Sequence, residues 1–362
     1  MLQFILQIRD VDWAQRYPEI PEVCQQDICD NVLNRYNRQK QINEWKEQYS
    51  TQVEPRTSTK LLRDFKGNVI EFQKLELGKK IGQGGFGDVH FAKWAGSVVA
   101  VKKLRVQRVS KKRLQQFTDE ILILCELEHP NIVKFIGACV KTPNLCIVME
   151  YMETSLYDAL HIDVDIDFND EERQQIIKQT ADGMCYLHSK GIAHCDMKSQ
   201  NVLLDYDAGK SVLWAKITDF GLSMMKLETE TSSSASHEVV RNLGTPRYSA
   251  PEILRGEVLD LRAMKKADIY SYSLVIYEII YEEEPFPKLN YNQLHKQVGE
   301  RGMQPSIPEG IIINDHLFKL LLDCWNRSPD KRPTAKELRD YFLNEKPIFM
   351  SRMKTPTHDT RY

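Results

Sequence analysis

The sequence lacks a strong excess of charge, a long apolar run and a regular cysteine framework. Its formal net charge is −2 at pH 7, whereas a nucleic-acid-binding domain is normally distinctly basic, so no nucleic-acid partner is expected. No apolar run reaches the roughly 20 residues that a membrane span needs. The eight cysteines form no CxxC pair. These absences favour reduced thiols and predict a cytoplasmic protein.

The first residues also lack targeting signals. The apolar run at 1–8 has no basic residue ahead of it, and Arg9 and Asp10 end it too early for a signal peptide. Leu2 stands where N-myristoylation requires glycine. We therefore expect neither a cleaved leader nor this lipid anchor.

Residues 1–60 are polar and carry a helical pattern. Apolar side chains recur at three- and four-residue spacing, at Ile28, Val32, Tyr36, Ile42, Trp45 and Tyr49. Two interpretations remain open, namely a helical extension packed on a neighbouring domain, or helices that bind a partner or a second copy of the chain. Pro55 and the hydroxyl-rich residues after it predict a linker.

One polar cluster suggests a reaction. Asp196, Lys198 and Asn201 stand two and three residues apart, and Asp219 follows within an Asp-Phe-Gly turn. Carboxylate and amide oxygens suit Mg²⁺ shared with substrate phosphates. A lysine beside an aspartate suits a phosphoryl group in transfer, whose negative charge needs a cation. The cluster predicts phosphoryl transfer.

The region before this cluster contains short β-type runs. Strand, glycine-rich turn and strand succeed one another across 75–94, and a third strand ends at Lys102. A strand rather than a helix follows the glycines, which disfavours a dinucleotide-binding fold. Lys102 ends an apolar strand and needs an acidic partner. Glu120, on a helix predicted over 111–127, is the candidate, and a solvated Glu120 is the alternative.

Helical patterns dominate the second half of the chain. Two short strands are predicted around Phe135 and Ile147, followed by helices over 156–161 and 170–189. A β-rich first half and an α-rich second half predict an α+β protein of two lobes with a cleft between them.

These residues together resemble a eukaryotic protein kinase over about 72–345. The motifs are GxGxxGxV at 82–89, Val-Ala-Val-Lys at 99–102, HxD and Asn at 194–201, Asp-Phe-Gly at 219–221 and Ala-Pro-Glu at 250–252. The segment 244–252 and the CW and RPT residues at 324–325 and 332–334 are similar to the tyrosine-kinase-like group of serine/threonine kinases. Lys198 is of the serine/threonine type, and tyrosine or dual specificity is the alternative.

The resemblance implies a fold and a division of the chain. The expected fold has an antiparallel β-sheet N-lobe with one main helix and a mostly helical C-lobe, preceded by the helical extension and linker at 1–60. Residues 346–362 are expected to form a short polar tail.

The resemblance also implies roles. Asp196 orients the substrate hydroxyl, Lys198 balances charge on the γ-phosphate, and Asn201 and Asp219 hold Mg²⁺, with Mn²⁺ as an alternative. ATP is the expected phosphoryl donor, and protein serines and threonines are the expected acceptors, in intracellular signalling. The nucleotide-binding residues implied are Ile81, Gly82, Gln83, Gly84, Gly85, Phe86, Gly87, Val89, Ala100, Lys102, Glu120, Met149, Glu150, Met152 and Leu203.

Further features of the family map onto this chain. An internal apolar column is expected from Leu124, Phe135, His194 and Phe220, resting on Asp268. Glu252 and Arg332 match a buried ion pair. Retention of Lys102, Glu120, Asp196, Asn201 and Asp219 argues against the main alternative, a catalytically silent pseudokinase scaffold.

The clearest departure from the family pattern is Cys195. An arginine usually stands there and pairs with a phosphate on the activation loop, so its absence predicts that loop phosphorylation is not an obligatory switch. Six loop residues could nevertheless be phosphorylated: Thr229, Thr231, Ser232, Ser233, Ser234 and Ser236.

Overall fold

The computed structural model describes residues 68–83, 87–104, 111–207, 211–225, 244–309, 311–344 and 349–352. These residues belong to one compact unit of the chain, Phe65–Tyr362. The predicted helices and linker at 1–60 lie outside the described residues. So do Gly84, Gly85, Phe86 and the six hydroxyl residues of the loop at 226–243.

Five antiparallel strands form the first part of this unit, in the order β1-β2-β3-β5-β4. Their bounds are β1 Glu76–Gln83, β2 Gly87–Trp94, β3 Ser97–Leu104, β4 Phe135–Cys139 and β5 Cys146–Glu150. Ala95 and Gly96 join β2 to β3 with φ angles of 49° and 80°, as a tight hairpin of twisted strands requires. The sheet confirms the predicted antiparallel lobe.

One long helix, α1 (Lys111–Cys125), accompanies this sheet. Phe117, Ile121 and Leu124 are buried along one face, whereas Asp119 is exposed. This is the amphipathic spacing that the sequence shows. Glu120 is buried with the apolar face, and so the helix brings a carboxylate towards the sheet.

The rest of the unit is mostly helical. Its helices are α2 Leu156–His161, α3 Asp170–Ser189, α4 Pro251–Leu254, α5 Leu261–Tyr281, α6 Tyr291–Leu294, α7 Asp315–Cys324 and α8 Ala335–Asn344. Helices α2 and α3 have the predicted bounds. Asn169 and Glu172 cap α3 reciprocally at 2.9 and 3.0 Å, which explains its sharp start. Helix α5 is buried along nearly its whole length and forms the centre of this part.

The described residues also form three small antiparallel sheets. Their strands are β6 Thr154–Ser155, β7 Ile192–Ala193, β8 Val202–Tyr206, β9 Val212–Ile217, β10 Met224–Met225, β11 Ile311–Ile313 and β12 Phe349–Arg352. They pair as β6-β8-β9, β10-β7 and β11-β12. Strand β12 lies within 346–362, the stretch that the sequence predicts as a short polar tail. Phe349, Ser351 and Arg352 of β12 pair with Ile313, Ile312 and Ile311 of β11.

A buried ion pair ties α4 to the end of the helical part. Nη1 and Nη2 of Arg332 donate to the two carboxylate oxygens of Glu252 at 2.6 and 2.7 Å. Neither side chain is accessible to solvent. The planar guanidinium matches the carboxylate in a bidentate arrangement, and the pairing that the resemblance implied is present.

Candidate active site

A cavity of about 940 Å³ separates the five-stranded sheet from the helical part. Its volume is within the usual range for a site that holds a nucleotide-sized ligand. Eleven of the residues predicted to bind nucleotide line it, namely Ile81, Gly82, Gln83, Val89, Ala100, Lys102, Glu120, Met149, Glu150, Met152 and Leu203. The predicted catalytic and metal residues Asp196, Lys198, Asn201 and Asp219 line the same cavity.

Gly87 lies at the start of β2 and is absent from the lining that the described residues form. A Cβ at this position would lie 2.1 Å from the backbone oxygen of Lys103 on β3. A side chain cannot fit there without moving a strand. The structure therefore gives Gly87 a packing role between β2 and β3.

Lys102 meets two carboxylates at the back of the cavity. Its Nζ donates to Oε1 of Glu120 at 2.6 Å and to Oδ1 of Asp219 at 2.8 Å. Strand β3, helix α1 and the turn after β9 each contribute one of these groups. The predicted pairing with Glu120 is present, and the lysine also joins the Asp-Phe-Gly turn to the sheet.

Burial and charge act against each other in this cluster. Burial disfavours the Lys102 ammonium, but the Glu120 and Asp219 carboxylates outweigh it and raise the pKa of Lys102. Burial raises the pKa of Glu120, with Lys102 opposing it. For Asp219 burial acts in the same direction, yet Lys102 lowers its pKa overall. Lys102 is thus a permanent cation, and Asp219 stays ionised at neutral pH.

Asp196 and Lys198 form a second polar cluster in the cavity. Lys198 Nζ lies 2.8 Å from Oδ2 of Asp196 and donates to Oγ1 of Thr245 at 2.7 Å. The backbone N–H of Thr245 donates to Oδ1 of Asp196 at 2.9 Å. Sequence reasoning missed Thr245 as a site residue. Thr245 lies forty-seven residues from Lys198, and no helix or strand periodicity relates residues so far apart. Its one signal in the sequence was the Gly-Thr-Pro-Arg-Tyr motif.

Asn201 connects Asp196 to the turn after β9, which carries Asp219. Its Nδ2 donates to the backbone oxygen of Asp196 at 2.8 Å. Its own backbone oxygen accepts from the N–H of Thr218 at 3.0 Å, the residue before Asp219. Because the amide nitrogen is turned towards Asp196, the amide oxygen is left to face another group. Asn201 and Asp219 thus bring two oxygen donors into one cavity, a donor set that suits a hard cation.

The backbone of this loop is held by α5. The carboxylate of Asp268 accepts from the N–H groups of His194 and Cys195 at 2.7 and 2.8 Å. Cys195 has a φ of 67° and Asp219 one of 64°, which L-residues rarely adopt. Buried acceptors of this kind compensate for a strained loop.

His194 is a packing residue. It is fully buried and its ring lies 5.3 Å from that of Phe220. Its Nε2 donates to the oxygen of Thr218 at 2.9 Å, while its Nδ1 accepts from the N–H of Asp196 at 3.3 Å. Both ring nitrogens are thus hydrogen-bonded to the backbone. The contact with Phe220 and the Asp268 hydrogen bond agree with the expected apolar column.

The connection after β5 joins the two lobes through Glu150. Its carboxylate accepts from Lys216 Nζ on β9 at 2.8 Å through both oxygens. The N–H of Lys134 donates to the same carboxylate at 2.6 Å. Met149, just before it, is buried and pairs with Ala100 of β3, at the inner end of the cavity. The carboxylate of Glu150 is therefore bound by Lys216 and by the N–H of Lys134.

No helix in the described ranges is long and apolar enough to cross a membrane.

Comparison with known proteins identifies the family. The protein kinase domain family matches residues 75–342, and this chain belongs to it. A probable serine/threonine-protein kinase of Dictyostelium discoideum is 37% identical over 280 residues, which cover 77% of this chain and 28% of that protein. The resemblance to the tyrosine-kinase-like group of serine/threonine kinases, and the expected two-lobed fold, are confirmed.

Two relatives from Arabidopsis thaliana give similar values. Serine/threonine-protein kinase CTR1 is 36% identical over 291 residues, covering 79% of this chain and 33% of CTR1. Serine/threonine-protein kinase STY17 is 32% identical over 270 residues, covering 74% and 44%. The chain thus matches less than half the length of each of these curated relatives.

Proposed function

We propose that this chain is a serine/threonine protein kinase that transfers the γ-phosphoryl group of ATP to hydroxyls of protein substrates. The observation that carries the proposal is the joining of Lys102, Glu120 and Asp219 at one end of a cavity whose other polar cluster is Asp196 and Lys198. The names of the relatives, which are serine/threonine-protein kinases, support the acceptor class.

The apolar part of the cavity suits a nucleotide base. The five-stranded sheet contributes Ile81, Val89 and Ala100, and strand β8 contributes Leu203. Flat apolar walls on both sides suit the faces of an adenine ring, and backbone groups near Glu150 suit its polar edge. Lys102, held as a cation by its two carboxylates, binds the α- and β-phosphates.

Asn201 and Asp219 are the residues that would hold Mg²⁺, with Mn²⁺ as the alternative. Their oxygen donors fit a hard divalent cation that completes its shell with water and phosphate. When bound, the cation supplies positive charge to the phosphate oxygens.

Asp196 acts at the acceptor end. Its carboxylate orients the substrate hydroxyl and accepts its proton, while Lys198 neutralises charge on the group in transfer. Thr245 Oγ1 contacts both side chains and keeps them at their present separation. Most of the catalytic effect then comes from position and charge.

The alternatives make different demands. A pseudokinase scaffold would not need a complete set of catalytic, phosphate-binding and metal-binding side chains. In this chain all five line the cavity, namely Lys102, Glu120, Asp196, Asn201 and Asp219. Tyrosine or dual specificity differs from serine/threonine specificity in the acceptor alone.

We also propose a cytoplasmic location, which suits the free cysteines of the described residues. For residues 1–60 two proposals stand: a helical extension packed on a neighbouring domain, or helices that bind a partner or a second copy of the chain.

The experiment is a peptide-array assay on the purified full chain with labelled Mg·ATP. The array presents each sequence with serine, threonine, tyrosine or alanine at the acceptor position, and Asp196→Asn serves as the inactive control. Labelling of serine and threonine peptides by wild type alone supports the proposal. Labelling of tyrosine peptides alone would overturn the acceptor class, and no labelling by a chain that still binds ATP would favour the scaffold.

A further inference from the structure

Glu278 of α5 is a buried carboxylate outside the cavity. It has no solvent-accessible surface, and three side chains from three other segments donate to it. The hydroxyl of Tyr248 lies 2.6 Å from its Oε2, while the Ser199 hydroxyl and His161 Nε2 lie 2.8 and 2.7 Å from its Oε1. The sequence motifs did not indicate this group of hydrogen bonds.

Two of these donors lie in segments that carry site residues. Ser199 directly follows Lys198, and Tyr248 follows Thr245 by three residues in the short 3₁₀ turn Pro246–Tyr248. Thr245 in turn contacts Asp196. Glu278 therefore links residues 196–201, which carry Asp196 and Lys198, to the segment 244–249. The position of segment 244–249 relative to Asp196 therefore depends on how firmly the Glu278 carboxylate is hydrogen-bonded.

The third donor is the one that can carry charge. Across the part of the chain that the structure describes, the cation paired with Glu278 is His161. Burying a carboxylate costs free energy unless an opposite charge or hydrogen bonds compensate for the lost hydration. Tyr248 and Ser199 supply neutral hydrogen bonds. His161 adds a charge-assisted one when its imidazole is protonated.

His161 reaches both the buried carboxylate and the surface. It stands at the end of α2, and 16% of its side chain is exposed, which lets it exchange protons with solvent. The Tyr157 ring lies 4.9 Å from its ring.

The charged groups around the imidazole are mostly acidic. Glu282 and Glu284, beyond the end of α5, act on it together with Glu278, and Asp158 lies three residues before it on α2. The nearby cations are already paired, Arg247 with Glu284 and Arg173 with Glu282. The hydrogen bond to Glu278 outweighs burial, and so the pKa of His161 is raised from 6.5.

We propose that His161 is a positioning residue whose charge sets how firmly Glu278 holds the substrate-side segment 244–249, so that use of the protein substrate depends on pH. The inference rests on the proposed kinase function. It assigns no contact between His161 and substrate or nucleotide.

The direction of the pH effect follows from the raised pKa. The charged pair is fully present below the unfolded-state pKa of His161 and is lost as pH rises through the higher folded-state pKa. Above that point the neutral imidazole still donates a hydrogen bond, without the charge. The segment is then held less firmly, and the KM for a peptide substrate increases with pH above 6.5.

The test measures KM for an acceptor peptide and for ATP, with kcat, from pH 6 to 9. The full chain is compared with His161→Gln, which is always neutral, and His161→Arg, which is always charged. His316→Gln is the matched control, because His316 is an exposed histidine on α7. His316→Gln keeps His161 and should therefore show the same pH profile as wild type.

The wild-type chain should show a rise in peptide KM of roughly fivefold, the scale that separates a charge-assisted from a neutral hydrogen bond. His161→Arg should stay at the low value and His161→Gln at the high value, both without the pH step. The KM for ATP should be the same in all variants. Thermal unfolding of each variant confirms that it is folded.

A wild-type pH step that persists in His161→Arg would overturn the inference, even where His161→Gln does not fold. An equal change in the KM for ATP would also overturn it, since a distorted lobe would then be the cause. No peptide labelling by wild type at any pH would overturn the proposed function and this inference with it. Active variants with identical profiles would overturn this inference alone.

Discussion

Lys102 Nζ lies 2.6 Å from Glu120 Oε1, although eighteen residues separate them in the chain. The lysine comes from the middle strand of the sheet and the glutamate from the buried face of α1. Their contact fixes the helix against the sheet at the position where Lys102 also reaches Asp219. One ion pair therefore links the packing of the first lobe to the proposed phosphate site.

Glu120→Gln tests this link. The amide cannot balance the ammonium, so Lys102 turns towards Asp219 and phosphate binding weakens. We expect kcat/KM for ATP to fall roughly 10- to 100-fold, the range for losing a charged hydrogen bond. Steady-state kinetics with varied ATP measures it. Asp119→Asn is the control, because this neighbouring carboxylate is exposed; an equal loss in both variants would contradict the assignment.

Thr245→Val tests the positioning of Asp196. Valine keeps the shape of threonine but removes the hydroxyl that contacts Asp196 at 3.2 Å and Lys198 at 2.7 Å. We expect kcat to fall roughly fivefold or more, at about 1 kcal/mol for each hydrogen bond lost, with little change in the KM for ATP. Thr245→Ser keeps the hydroxyl and should retain most of the rate. Equal rates for the valine and serine variants would argue against the role.

Arg332→Met tests the buried ion pair by stability. Glu252 would be left as an unpaired buried charge, and the expected loss is roughly 3–5 kcal/mol in the free energy of unfolding. Chemical unfolding with a fluorescence readout measures it. A double variant that also carries Glu252→Gln should recover part of the loss. The exposed pair of Arg262 and Asp330, at 3.1 Å, is the control, and Arg262→Met should leave stability nearly unchanged.

Cys195 leads to a prediction about regulation. The residue before Asp196 carries a thiol whose Sγ contacts the backbone oxygen of Ala193 at 3.5 Å, so no cation at this position can bind a loop phosphate. We expect the chain with all six hydroxyl residues at 229–236 replaced by alanine to keep most of its activity. The measurement is peptide phosphorylation at equal protein concentration. An inactive but folded sixfold variant would contradict it.

Much of the fold was predictable because its signals are local. Helices α2 and α3 begin and end where the sequence predicts, and in both the first turn is closed by a side chain that the sequence shows, Ser155 and Asn169. The order of strand, glycine turn and strand also follows from local composition. The pairing of β11 with β12 was missed, because strand partners this far apart leave no periodic pattern.

Some residues of the candidate site were predictable from the sequence and others were not. Residues that belong to ordered motifs, such as Lys102, Asp196 and Asp219, line the cavity as the resemblance implies. Thr245 and Glu278 were missed, since their importance lies in contacts with residues thirty or more positions away. The complete burial of a glutamate on a helix rich in apolar residues becomes visible only in three dimensions.

The most direct measurement of the central claim is transfer of label from γ-labelled ATP to a generic basic protein, with Mg²⁺ present or removed by chelation. Wild type is compared with Asp219→Asn, which keeps the size of the side chain but removes the carboxylate proposed to hold the cation. The account predicts Mg²⁺-dependent labelling of serine and threonine by wild type and its loss in Asp219→Asn. Equal labelling by both chains would contradict it.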